Sequence, residues 1–179
     1  MKLHMTDGGR GAAGYTGTAG DCVCRAIAIA TELPYQDVYD ALNVAGKSER
    51  LTRRRRHRSS ARNGVHKDTS KKFLSTLGWI WTPTMQIGSG CRVHLRADEL
   101  PPGRLIVQVS KHLTCVIDGV LHDTYDCSRD GTRCVYGYWR APLVLALTSC
   151  KSGWTCGVTP VARKSFGMRN GVRNGSSIW

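Results

Sequence analysis

Cys22, His112 and Asp123 are the side chains of this sequence on which a covalent reaction can be built. Cys22 stands within Gly20-Asp21-Cys22-Val23-Cys24-Arg25-Ala26-Ile27-Ala28-Ile29-Ala30, where a loop-like segment ends and an apolar helical run begins at once. Asp21 suits the helix cap, because its carboxylate can accept an unpaired first-turn amide hydrogen. Cys22 then takes the first helical position. A thiol there faces the positive end of the helix, which favours the thiolate and lowers its pKa. A small buried residue at a helix start is the plainer reading of the same position. The partners farther along the chain tip the balance toward a nucleophile.

Those partners come from a hairpin. Leu105–Val109 and His112–Ile117 read as strands, Asp118-Gly119 is a strong two-residue turn signal, and Val120–Tyr125 returns. With Ile117 opposite Val120, Thr114 falls opposite Asp123 and His112 opposite Tyr125. Side chains alternate with period two, so His112, Thr114, Asp123 and Tyr125 share one face. His112 and Asp123 are diagonal neighbours, close enough for an imidazole to meet a carboxylate. A nucleophile, a base and an orienting acid make a Cys-His-Asp set for acyl transfer. His122 is the rival base and faces the other side, opposite Cys115. Cys115 lies mid-strand with no helix terminus to activate it, so that pair reads as packing. Asp126 is the rival acid, reachable through a register shift or bulge. His4, His57, His66 and His94 fall in loops or on polar surface and receive no role.

Asp21-Cys22 opening an Ala/Ile-rich helix resembles the nucleophile helix of papain-like cysteine peptidases. Lys111–Gly119 followed by His122–Asp126 resembles their histidine and acid strands, nearest to compact bacterial and phage-associated members. The likeness covers about residues 15–140. It implies a papain-like fold, with Cys22 as nucleophile, His112 as base and Asp123 as third member. Papain-like enzymes often place a glutamine shortly before the nucleophile to hold the oxyanion. Here Thr16 stands six residues ahead, with no Gln or Asn nearby. The oxyanion candidates are therefore the Cys22 backbone amide and Gln86. The implied activity is that of a cysteine peptidase or related thiol amidohydrolase, acting on a peptide or isopeptide-like bond.

Several elements must position this set. The first helix, 21–31, is apolar all round and should be central. Pro34 suits the first turn of a second helix, in which Tyr35, Val38, Tyr39 and Leu42 form a packing stripe. Thr69-Ser70 can cap a third helix carrying Phe73, Leu74 and Leu77, ended by Gly78. Trp79-Ile80-Trp81 suggests a short strand stopping at Pro83, and Tyr136–Trp139 another strand or edge segment. Helices first and a mainly antiparallel sheet afterwards make an α+β pattern. Residues 1–14 read as a flexible N-terminus, 15–140 as the domain, 46–67 as an Arg-rich insert and 141–179 as a poorly ordered basic tail. Within that tail, 143–147 could add a strand.

The 179 residues suffice for one domain with a core. No run approaches a membrane span, and the N-terminus lacks the apolar core of a secretory signal, so a cytoplasmic location and no membrane partner are expected. The eight cysteines include no C-x2-C knuckle, so most should be reduced thiols. No cofactor or metal is expected, a cysteine–metal cluster being the lesser reading. A net charge of +13 can attract polyanions. Arg53, Arg54, Arg55, Arg56 and Arg58 concentrate much of it in the insert. The competing function is therefore a non-catalytic, basic nucleic-acid-binding protein on the same scaffold, using the insert and tail. No aromatic residues interleave with those arginines to stack bases, which favours a solvated loop. The other expected partner is a peptide or protein substrate.

Overall fold

The computed structural model describes residues 1–142 except 54, 87 and 89. The apolar run after Asp21 forms helix α1 (Cys22–Thr31), with Val23, Cys24, Ala26, Ile27, Ala28 and Ala30 buried. A helix apolar around most of its circumference has little to offer water and belongs in the interior. Helix α2 (Tyr35–Lys47) buries Tyr35, Val38 and Leu42 at the predicted spacing, with Pro34 as its N-cap. Helix α3 (Lys67–Thr76) starts earlier than Thr69-Ser70 predicts, at a His66 cap. The two hydroxyls are used inside the helix instead. Thr69 Oγ1 donates to Glu49, and Ser70 Oγ donates to the Lys67 carbonyl.

Strands β1 (Lys2–Met5), β2 (Ile80–Pro83), β3 (Arg104–Val109), β4 (His112–Ile117), β5 (Val120–Asp123) and β6 (Val135–Arg140) form one sheet in the order β1-β5-β4-β3-β6-β2. Every neighbouring pair is antiparallel except β1 and β5, so the sheet is mixed and the class is α+β. Asp118 and Gly119 make the β4–β5 turn, with φ of 47° and 76°. Positive φ at both central residues matches the twist of the flanking strands, which is why Asp-Gly works there. Ile117 lies opposite Val120 and Cys115 opposite His122, the register read from the sequence. β5 stops at Asp123, and Tyr125 lies beyond it, exposed.

Strand β3 is buried on both sides. Ile106 packs with Leu113, Cys115 and Trp139 against the helices, while Leu105, Val107 and Val109 pack with Val116, Leu121, Leu95 and Leu100 on the other side. That double burial explains its near-continuous apolar sequence.

Two segments, the N-terminus and the insert, differ from the sequence reading, and the structure sharpens it at residues 136–139 and at the cysteines. Residues 1–14 are not simply flexible, because Lys2–Met5 pairs with β5. Four residues are too few to show a period, and the pairing partner is more than 110 positions away. Residues 136–139 belong to an interior strand, β6, between β3 and β2. Cys91 and Cys134 form a disulfide, while Cys22, Cys24, Cys115 and Cys127 are free. The backbone bonds Leu95 N to Arg133 O (2.8 Å) and Val135 N to Val93 O (2.8 Å) bring the two cysteines together. Last, the insert is anchored. Glu49 accepts hydrogen bonds from the Ser59 amide (2.8 Å), the Ser59 hydroxyl and Thr69, so the segment doubles back onto α2 and α3. Residues 143–179, which hold the rest of the predicted tail and its suggested strand, lie outside the described residues. Among the described residues, no helix is long and apolar enough to cross a membrane.

Gly46 shows how closely the anchored insert lies on α2. A Cβ there would run into the backbone carbonyl of Ser59. Alanine ordinarily stabilises a helix interior by about 1 kcal/mol relative to glycine. Here Gly46→Ala is expected to destabilise the fold by about 1–3 kcal/mol, as overpacking does, read as a lower urea midpoint at constant slope.

Candidate active site

The start of α1 and the start of β4 meet at one cleft of about 490 Å³. Cys22 is the first residue of α1 and half-buried. It lines that cleft together with His112 and Leu113. His112 and Asp123 project from neighbouring strands on the face that the alternation assigns them. His112 Nε2 and Asp123 Oδ2 are 2.7 Å apart, with the side chains 8% and 5% exposed. At that exposure the pair is shielded from competing water, so its geometry matters more than a surface ion pair's would. Asp123 is itself held. Its Oδ1 accepts the Thr124 amide (2.7 Å), and its carbonyl accepts the Thr6 amide (3.0 Å), just past β1. The Tyr125 ring stands 5.4 Å from the imidazole, centroid to centroid.

Opposing effects set the protonation states. Burial works against the Cys22 thiolate, but the His112 and Leu113 hydrogen bonds and the His112 charge outweigh it and lower the thiol pKa. Burial likewise works against the imidazolium, but hydrogen bonding to Asp123, Cys127 and Cys22 raises the His112 pKa. Asp123 is also penalised by burial, and its bond to His112 pulls its pKa down. All three shifts favour charged partners: thiolate, imidazolium and carboxylate. Two other thiols behave oppositely: burial pushes Cys24 and Cys115 up to about 12. Cys115 lies opposite His122, whose ring lies against that of His4 at a tilt, with centroids 4.8 Å apart.

Asp21 does not cap α1 through its side chain. Its carboxylate instead accepts the Tyr35 hydroxyl (2.7 Å) and faces Arg10 Nε (3.1 Å) and Arg25 (3.4 Å), with only 1% of its side chain exposed. Three fixed partners draw it away from the helix amides. Asp126 is exposed and accepts the Ser128 amide, so His112 is oriented by Asp123. Gln86 does not line the Cys22 cleft. It lines a neighbouring pocket with Trp81, Met85 and Tyr136. Of the arginines in the insert, Arg53, Arg56 and Arg58 are exposed, Arg55 pairs with Asp68 (2.6 Å), and Arg54 lies outside the described residues.

Two residues of the site escaped sequence reasoning. Gln108 on β3 lies opposite Leu113, is buried, and lines the cleft. Its signal was available: one polar residue interrupting the apolar run of a central strand. Cys127 left no signal. Its ligand atom and those of His112 and Asp123 lie within 4.8 Å of one another, a grouping that a zinc-type ion can bridge. Comparison with family models, curated proteins and solved structures finds no match, so the residues themselves carry the functional argument.

Proposed function

We propose that this chain is a papain-like thiol amidohydrolase, cleaving a peptide or isopeptide-like amide with Cys22, His112 and Asp123. The observation that carries the reading is a half-buried thiol at a helix start, beside an imidazole bonded to a buried carboxylate. In the reaction, His112 holds the Cys22 proton and the thiolate attacks the amide carbon. A carbon–sulfur bond forms, and His112 returns the proton to the nitrogen as the carbon–nitrogen bond breaks. Water, deprotonated by His112, then releases the acid and restores Cys22. The Cys22 amide and the Gln108 side chain are the groups available to hold the oxyanion, each donor contributing on the order of 3 kcal/mol. Asp123 fixes the tautomer and orientation of the ring.

A chloroacetamide probe on the full chain tests this. Labelling at Cys22, lost in Cys22→Ser and unaffected by a chelator, is the expected result. Equal labelling of wild type and Cys22→Ser removes the reading, and labelling that changes when divalent ions are stripped assigns His112, Asp123 and Cys127 to a metal.

A second reading, nucleic-acid binding, is favoured by the exposure of Arg53, Arg56 and Arg58, which have no acidic partner among the described residues. Phosphate binding predicts affinity that falls steeply with salt and vanishes when residues 50–62 are deleted.

A further inference from the structure

The cleft that holds Cys22 is lined by Arg25, Lys67 and Lys111 and by no aspartate or glutamate. The three cations come from three different elements: the first turn of α1, the first residue of α3, and the turn between β3 and β4. Two carboxylates that bond to cleft residues are already occupied. Asp21 is held by Arg10, Arg25 and Tyr35, and Asp123 by His112. Lys111 makes no ion pair among the described residues. Arg25 turns one guanidinium nitrogen to Asp21, while its Nε is buried without a hydrogen-bond partner among them.

Lys111 also occupies a position where its residue type is unexpected. Its φ is 55°, in the left-handed region that glycine enters without penalty and a side-chain-bearing residue rarely does. A glycine would serve this two-residue turn better, yet the chain places an ammonium group here, immediately before His112. Low-dielectric walls lined by one sign of charge concentrate the opposite charge.

We infer that the Cys22 cleft selects carboxylate-bearing peptides, with Arg25, Lys67 and Lys111 receiving the acidic groups that flank the scissile amide. The inference rests on the thiol-hydrolase reading and adds the substrate class to it. A strip of cations around a nucleophile raises the local concentration of anionic substrates and repels basic ones. The selectivity should therefore appear in the rate of encounter and fade with salt.

Two small alkylating reagents test this without a known substrate. Iodoacetate and iodoacetamide both form a carbon–sulfur bond to the thiolate and expel iodide, and they differ in carrying a carboxylate or a neutral amide. The quantity read is the ratio of their rates at Cys22, followed by mass spectrometry of the Cys22 peptide from the intact full chain. The double variant Lys67→Ala/Lys111→Gly is expected to lower the iodoacetate-to-iodoacetamide ratio on the order of tenfold at low salt. Lys72→Ala, which removes one positive charge outside the cleft, is expected to keep the wild-type ratio. High salt should bring wild type and double variant together. Lys67 is exposed and Lys111→Gly relieves a left-handed backbone, so the double variant is expected to fold, with circular dichroism as the check.

An unchanged ratio in the double variant, or an equal fall in Lys72→Ala, overturns the anion selectivity and leaves the hydrolase reading standing. Failure of both reagents to modify Cys22 overturns the hydrolase reading and this inference with it.

Discussion

A His112→Ala variant is expected to alkylate at Cys22 roughly 10²-fold more slowly than wild type at pH 7, the scale of a lost general base. The thiolate is the reactive form, and His112 is what favours it against burial. Without the imidazole, burial is the largest remaining influence on Cys22, and it acts to raise the pKa. The pH profile carries the sign. In wild type the lowered thiol pKa keeps Cys22 reactive as pH falls below the ordinary thiol value of 9.0. In His112→Ala the rate should climb only at alkaline pH. Asp123→Ala should fall between the two, because the ring stays but loses the carboxylate that raises its pKa. Superimposable profiles for wild type and His112→Ala would show that Cys22 and His112 do not act as a pair.

The largest expected effect on stability comes from Asp21→Ala, a loss of about 3 kcal/mol, the lower end of what breaking a buried ion pair costs. The carboxylate is nearly inaccessible and gathers two guanidinium groups, each 15% exposed, together with the Tyr35 hydroxyl. Its removal leaves two largely buried cations facing each other without an anion between them. Arg10 also donates to the carbonyls of Thr16 (2.9 Å) and Gly17 (2.7 Å), so the loop leading to Cys22 is tied to the same carboxylate. Asp21→Asn keeps the shape and an acceptor for Tyr35 but not the charge, and should lose less. Denaturant unfolding of both variants checks this. A midpoint within error of wild type for Asp21→Ala would mean that the cluster contributes nothing net.

The sequence made the hairpin legible because a two-residue turn fixes register, and register fixes faces. Ile117 opposite Val120 is enough to bring His112 and Asp123 to one side, and their 2.7 Å separation follows. The α+β class was readable for a similar reason, since each helix and central strand carries its own apolar pattern. What could not be read depends on contacts between distant residues. Asp21 looked like a cap because its local sequence said so, and nothing local announces Arg10 folding back onto it. Cys127 reaches His112 through an irregular segment after β5, and Cys91 reaches Cys134 across 43 positions. Gln108 differs from these. Its place in the strand was evident, and what the sequence lacked was the knowledge that this strand face opens onto the cleft.

Strand β1 has a consequence for self-association. Lys2–Met5 occupies the outer edge of β5, where the strand carrying Asp123 would otherwise present unpaired amides and carbonyls. An uncovered edge is a template for another chain. A chain begun at residue 6 would thus be prone to edge-to-edge pairing through Val120–Asp123, joining two copies beside their own His112. As it stands, the outermost strand is only four residues long and bears Lys2 and His4 in exposed positions, two features that discourage a further strand from adding.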